Sequence, residues 1–292
     1  MKIIVAPGES RFEVFEKGTT AGLLISIETD EAALVSSMLA NMQIEVHNTL
    51  DGQKVHQITP NNFKLNHLHG IIFANNAPLS EKTFEVAKTI NGTKTYILPF
   101  YFGTNEVLNK QRGLYVEIKN GNLSGSSEDA TVVIETIPSV GLKTSQLTIE
   151  RLTLEATKTN HTLKLGSFVN QLVYFPPADD DVFSVDELEV SSDKLNEEYS
   201  ARQIYNQLNN TIEPDIAYAK TPINLIKEDI GLNGVSIDID FLTAKASREL
   251  FIVRRIVTPQ IANELVTKTN EHSSENIQFI KATTLKSACG CN

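Results

Sequence analysis

The stretch Val235-Ser236-Ile237-Asp238-Ile239-Asp240-Phe241 alternates apolar and polar residues without a break. Successive side chains of a strand point to opposite faces, so this pattern specifies a strand with one dry face and one wet face. The same period recurs in short runs. Leu23, Ile25 and Ile27 share a face, as do the even positions of Met42–His47; Leu114, Val116 and Ile118 oppose Tyr115 and Glu117. Further candidate strands lie at Lys2–Val5, Arg11–Glu16, Lys54–Ile58, Thr95–Phe102 and Thr131–Ile137, and Asp51-Gly52 is a hairpin signal between two of the runs. A parallel sheet covered on both faces would read as continuous apolar runs instead. The pattern therefore points to antiparallel sandwiches or barrels.

The runs fall into two groups. The first ends at Ile137-Pro138-Ser139-Val140-Gly141, where a residue that cannot donate a ladder hydrogen bond and one that readily leaves strand geometry break the chain. The second restarts at Leu147. There the apolar phase flips: Leu147 and Ile149 are odd, Leu152 and Leu154 even, which predicts a β-bulge near Glu150-Arg151. His161–Phe175 supplies one or two strands, ended by Pro176-Pro177, and Val182–Val190, Glu249–Ile256 and Asn276–Ala282 supply others. Asn210–Asn233, broken by Pro214 and Pro222, reads as an irregular connection.

Short helices are expected between strands. Asp30 introduces one carrying Leu34 and Met38. Ser80–Ile90 has a cap residue at its start and Asn91-Gly92 as its stop. Asp193–Leu208 presents Ala201, Ile204, Tyr205 and Leu208 along one side, and Thr258-Pro259 opens another helix that faces Ile261 and Leu265 inward. Each half thus holds roughly seven to nine strands with helical insertions, and the jelly roll is the sandwich that commonly carries such insertions. The fold expected is all-β with short helical insertions: two tandem jelly-roll β-sandwiches, a double jelly roll, over residues 1–139 and 140–292.

Composition narrows the functions available. A hydrophobic fraction of 41% and a charged fraction of 21% are those of a folded globular chain. The formal charge of −10 and the lack of any five-residue basic cluster argue against direct contact with nucleic acid. The two cysteines, Cys289 and Cys291, are spaced too tightly for an ordinary structural disulfide and do not complete a zinc site. They suit free thiols on a terminal tail, or a redox-sensitive or metal-capturing one. The apolar run at Met1–Pro7 is too short for a signal peptide, and no segment reaches the ~20 apolar residues of a membrane span. Synthesis and folding in a cytoplasm are expected.

Three stretches could carry chemistry. His67-Leu68-His69 would put two imidazoles on one face of an extended segment, a spacing that some metal-binding β-barrels use; a third ligand is needed, and Glu81 lies beyond the loop Asn75–Ser80 in what reads as a helix start, so the alternative is a loop or surface role. Against this, no glycine stands where cupin enzymes place theirs. Asp179-Asp180-Asp181, followed by Asp186 and Glu187, offers a hard cation such as structural calcium several carboxylates; the alternative is a solvated loop after two prolines. Tyr96, Phe100, Tyr101 and Phe102 form the main aromatic run, read first as core and second as a ligand platform or contact surface. No Gly-x-Ser-x-Gly elbow and no phosphate-binding loop occurs. The chain is therefore read as a non-enzyme with no catalytic or cofactor-binding residue, and its metal ligands are left open.

The order Val182-Phe183-Ser184-Val185-Asp186-Glu187-Leu188, then Gln203-Ile204-Tyr205-Asn206-Gln207-Leu208, then Val235–Phe241, together with two β halves meeting near Pro138–Gly141, resembles the double jelly-roll major capsid proteins of icosahedral viruses with an internal membrane. The likeness is greatest to the corticovirus type and to lipid-containing phages of flavobacteria. It is one of pattern over the whole chain, without a long N-terminal amphipathic arm. The resemblance implies a homotrimer whose six jelly rolls make a pseudo-hexagonal capsomer, packed beside neighbouring capsomers over a lipid vesicle. It further implies minor capsid and membrane proteins as partners, contact with the internal membrane, no direct contact with nucleic acid, and a place in the virion capsid. The alternative is a two-domain β-sandwich that binds a receptor or glycan, as fibre heads and adhesins do; an enzyme of cupin type using His67 and His69 stands third.

Overall fold

The computed structural model describes residues 2–74, 86–138, 145–177, 184–204, 222–245 and 248–256. Strands β1 (Lys2–Val5), β2 (Ser10–Phe15), β3 (Gly18–Thr29), β4 (Met42–Leu50), β5 (Gln53–Gln57), β6 (Phe63–Lys64), β7 (Val86–Ile90), β8 (Thr93–Leu108), β9 (Arg112–Asn120) and β10 (Ala130–Pro138) build the first pair of sheets. Their orders are β1-β10-β3-β8-β7 and β2-β9-β4-β5, with β6 paired to β4. A 3₁₀ helix at Ser36–Asn41 and helix α1 (Leu65–Phe73) are inserted between strands.

The second pair comprises β11 (Gln146–Thr153), β12 (Asn160–Gly166), β13 (Val169–Phe175), β14 (Val185–Ser191), β15 (Asn196–Ser200), β16 (Ile223–Leu232), β17 (Val235–Phe241) and β18 (Glu249–Ile256), with a one-turn helix α2 (Ala201–Gln203) after β15. These strands pair as β11-β18-β13-β16 and β12-β17-β14-β15. With the short β6 and the edge strand β7 set aside, both halves follow one rule. The first, eighth, third and sixth strands make one sheet; the second, seventh, fourth and fifth make the other. Among the described residues every strand pair is antiparallel, and the architecture is a jelly-roll-like β-sandwich.

Alternation explains most of the burial. In β17 Val235, Ile237, Ile239 and Phe241 are buried while the residues between them are partly exposed. In β9 Leu114, Val116 and Ile118 are buried. Asp51-Gly52 turns β4 into β5 with φ of 48° and 78°, the positive pair that a two-residue hairpin of right-handed twist requires.

Several expectations are corrected. Asn91-Gly92, expected as a helix stop, has φ of 51° and 93° and is the same kind of hairpin turn, so Val86–Ile90 is strand β7 and not the end of a helix. The rest of that predicted helix, residues 80–85, lies outside the described residues. The helix expected over Asp193–Leu208 is strand β15 at Asn196–Ser200, which pairs with β14; α-helix begins only at Ala201, with Ser200 and Gln203 forming a capping box, and residues 205–208 lie outside the described residues. The connection expected to be irregular to Asn233 holds β16, paired with β13. The helical stretch after Asp30 is confined to the 3₁₀ turn at Ser36–Asn41. The junction at 139–144, the predicted helix from Thr258, the strand Asn276–Ala282 and both cysteines lie outside the described residues.

The predicted bulge at Glu150-Arg151 is absent, since β11 pairs with β18 without interruption from Gln146 to Thr153. The phase flip has another cause. Leu147 and Ile149 point into the core of the first pair of sheets, whereas Leu152 and Leu154 pack into that of the second. One straight strand serves two cores. The other strands of its sheet do the same, with Val173, Phe175, Phe251 and Val253 facing the first core and Leu172, Tyr174, Leu250 and Ile252 the second.

Candidate functional site

The central strands β13 and β18 of the sheet β11-β18-β13-β16 are thus buried on both faces, and the seam where its outer face meets the first half is the most elaborate site among the described residues. Helix α1 fills it. Leu65, Leu68 and Ile71 recur at helical spacing and are buried, while His67 and Gly70 turn toward the second half. The His67 ring lies 4.9 Å from the Phe251 ring, 5.0 Å from Phe175 and 6.3 Å from Phe63. Gly70 is required there: a Cβ would stand 2.6 Å from ring atoms of Phe175 and 3.0 Å from Pro222 Cγ.

Polar bonds stitch the same seam. Ile71 belongs to the last turn of α1, so its carbonyl lacks an intrahelical donor; Gln171 Nε2 of β13 donates to it at 3.1 Å and also to Asn224 Oδ1 at 2.7 Å. The Ile149 amide donates to the Ile58 carbonyl at 2.7 Å, and His56 Nε2 lies 2.9 Å from the Leu147 carbonyl. Beside these contacts is a cleft of about 180 Å³ walled by Leu68, Ile71, Phe100, Tyr101, Leu147 and Val253, with Gln171, Lys227 and Arg255 among its polar groups.

Burial pushes the His67 imidazole down to about 3, and the charges of Lys64 and Arg151 act in the same direction. Glu249 Oε2, 3.4 Å from His67 Nε2, does not reverse this, because the same carboxylate is 3.6 Å from Arg151. His67 is therefore neutral at neutral pH. This also corrects its setting. His67 and His69 stand on a helix, where residues two apart are turned by roughly 200°, so they do not share a face. His69 packs against Phe73 instead, at 4.7 Å. Glu81 lies outside the described residues, and among those residues no group of three His, Cys, Asp or Glu side chains is placed to hold a metal ion.

Asp179, Asp180 and Asp181 also lie outside the described residues. Asp186 and Glu187 are both exposed because the pairing of β14 shifts register between Val185 and Glu187. Glu187 is held above its ordinary range by the neighbouring Glu198 carboxylate. With Glu189, Asp238 and Asp240 they form an acidic face spread along adjacent strands. Of the aromatic run, Tyr96, Phe100 and Phe102 are core, with Phe100 and Phe102 edge to face at 5.2 Å, and Tyr101 is 60% exposed.

Sequence reasoning missed the seam residues Gly70, Phe175 and Phe251. The signal was present: Leu172-Val173-Tyr174-Phe175 and Leu250-Phe251-Ile252-Val253 are continuous apolar runs, the mark of a sheet covered on both faces.

No protein-family model matches the sequence, and no curated protein matches it. Solved structures do match. The STIV major capsid protein superposes with a TM-score of 0.52 at 11% identity, over 89% of this chain and 97% of that one. The chain shares its fold with a viral major capsid protein. Two further likenesses are looser: the major capsid protein P2 from bacteriophage PM2 (TM-score 0.43, 11% identity, 89% and 99% of the two chains) and a chain of Sulfolobus Turreted Icosahedral Virus (0.49, 10%, 96% and 96%).

Proposed function

We propose that this chain is a major capsid protein: a double jelly roll, with residues 1–139 and 140–292 as its two sandwiches, that trimerises into pseudo-hexagonal capsomers of an icosahedral shell over an internal lipid membrane. The observation that carries the reading is the repeated strand order, which makes two sandwiches of one plan, joined through a seam buried on both sides, within a fold shared with the STIV major capsid protein. A trimer of such chains has six similar lobes, and six similar lobes tile a surface. The acidic balance of −10 suits a shell held apart from nucleic acid. On this reading the chain works through its lateral surfaces, its partners are copies of itself with minor capsid and membrane proteins, and its place is the virion capsid.

Electron microscopy of the purified chain tests this. Particles with a hexagonal outline are expected, and at high concentration their lateral association into sheets or shells. Single two-lobed particles that bind glycans would instead support the receptor-binding alternative.

A further inference from the structure

A buried arginine requires a countercharge, because a guanidinium keeps its proton in settings where a lysine or histidine would neutralise. Arg254 on β18 has one. Glu150 accepts from its Nε and Nη2 at 2.8 and 3.0 Å, and the Ser167 and Leu165 carbonyls accept further bonds. Arg248, which leads into the same strand, is 0% exposed and is the largest fully buried side chain among the described residues. Its Nε donates to Tyr174 Oη at 3.3 Å and its Nη2 to the Thr243 carbonyl at 2.5 Å, while Nη1 is buried with no hydrogen-bond partner. The guanidinium carbon stands 4.0 Å from the centre of the Phe241 ring, and the Tyr174 hydroxyl meets Ser184 Oγ at 2.9 Å. Ring, hydroxyls and carbonyl are all neutral, and among the described residues no carboxylate pairs with Arg248.

We infer that this end of the second sandwich holds a small monoanion of halide size against Arg248 Nη1. A bridging water would satisfy the orphaned N–H but leave the charge, and the face of one aromatic ring offsets only part of a buried charge. The valence follows from charge: one guanidinium balances one negative charge, whereas a dianion such as sulfate would bring an excess of its own. The size follows from burial, since a side chain without exposed surface suits a single ion over a ligand with a body. Position gives the ion a structural task. Tyr174 on β13 and Arg248 before β18 come from one sheet; Ser184 before β14, Phe241 on β17 and Thr243 after it come from the other. The anion therefore ties the two sheets together where their strands begin and end, beside the apolar cluster that holds Tyr174 and Phe241. The capsid reading neither requires nor excludes it.

Thermal melting of the full chain, followed by circular dichroism while chloride replaces gluconate at constant ionic strength and pH, tests this. Gluconate is a monoanion too bulky for a buried site. A ligand that binds only the folded state favours it by mass action, so above half-saturation each tenfold rise in chloride should multiply the folded-to-unfolded ratio about tenfold. Arg248→Met keeps an unbranched side chain of similar length without the charge. It should abolish the chloride response, and in gluconate alone it should melt no lower than the wild type, since it removes an uncompensated charge. Should that variant fail to fold, wild-type crystals soaked in bromide carry the test. An anomalous peak within hydrogen-bond reach of Nη1 is expected, and bromide at surface sites only would overturn the inference. Equal chloride responses in the wild type and Arg248→Met would mark a general salt effect and overturn it as well. A flat wild-type response would do the same, and a loss of stability in Asp179→Asn/Asp180→Asn/Asp181→Asn would then assign the countercharge to the acidic run that precedes Ser184 in the sequence.

Discussion

Gly70 shows how much one hydrogen atom can decide. Replacing glycine by alanine inside a helix ordinarily gains about 1 kcal/mol. Here the added methyl meets the Phe175 ring, which packs at 5.0 Å against both His67 and Phe251, themselves 4.9 Å apart. Overpacking of that kind costs about 1–3 kcal/mol, so Gly70→Ala is expected to destabilise the chain despite the better helix former. Urea unfolding checks the sign; a stabilised variant would mean that the seam is loose. His67 adds a pH dependence. Its folded value of about 3 lies below the ordinary 6.5, so between those limits the unfolded chain takes up a proton that the folded chain does not. Its contribution is fully present above pH 6.5 and is lost as pH falls toward 3, at up to about 1.4 kcal/mol per pH unit. His67→Leu should flatten the fall of the urea midpoint over that window, and an unchanged slope would show that other groups govern it.

At the scale of elements, the sheet shared by the two cores is the main structural device. Phe251, fully buried in the seam, and Phe12, 69% exposed on β2, are the same residue type in opposite settings. Phe251→Ala is expected to cost about 3–5 kcal/mol in urea unfolding, and Phe12→Ala well under about 1 kcal/mol. Equal losses would mean that the seam is not a core. The same device marks what the sequence made legible. Strands with one wet face announced themselves, as β17 does over its full expected span. Strand β11 misled because two phases in one run look like a bulge when only one core is imagined. Asn91-Gly92 misled because one dipeptide ends helices and turns hairpins, and only the pairing of Ile90 with Thr93 distinguishes them. The candidate site was nearly invisible: Gly70 and Phe175 are far apart in sequence, and nothing local tells either that the other is near.

For the whole molecule, two sandwiches of one plan are fused so that one face of the sheet holding β13 and β18 is used up internally. On the proposed capsid reading, three such chains associate through their lateral surfaces. Native mass spectrometry of the purified chain measures this directly. A dominant species at three times the chain mass of 32.3 kDa is expected. A folded species that remains at a single chain mass at every concentration would contradict it.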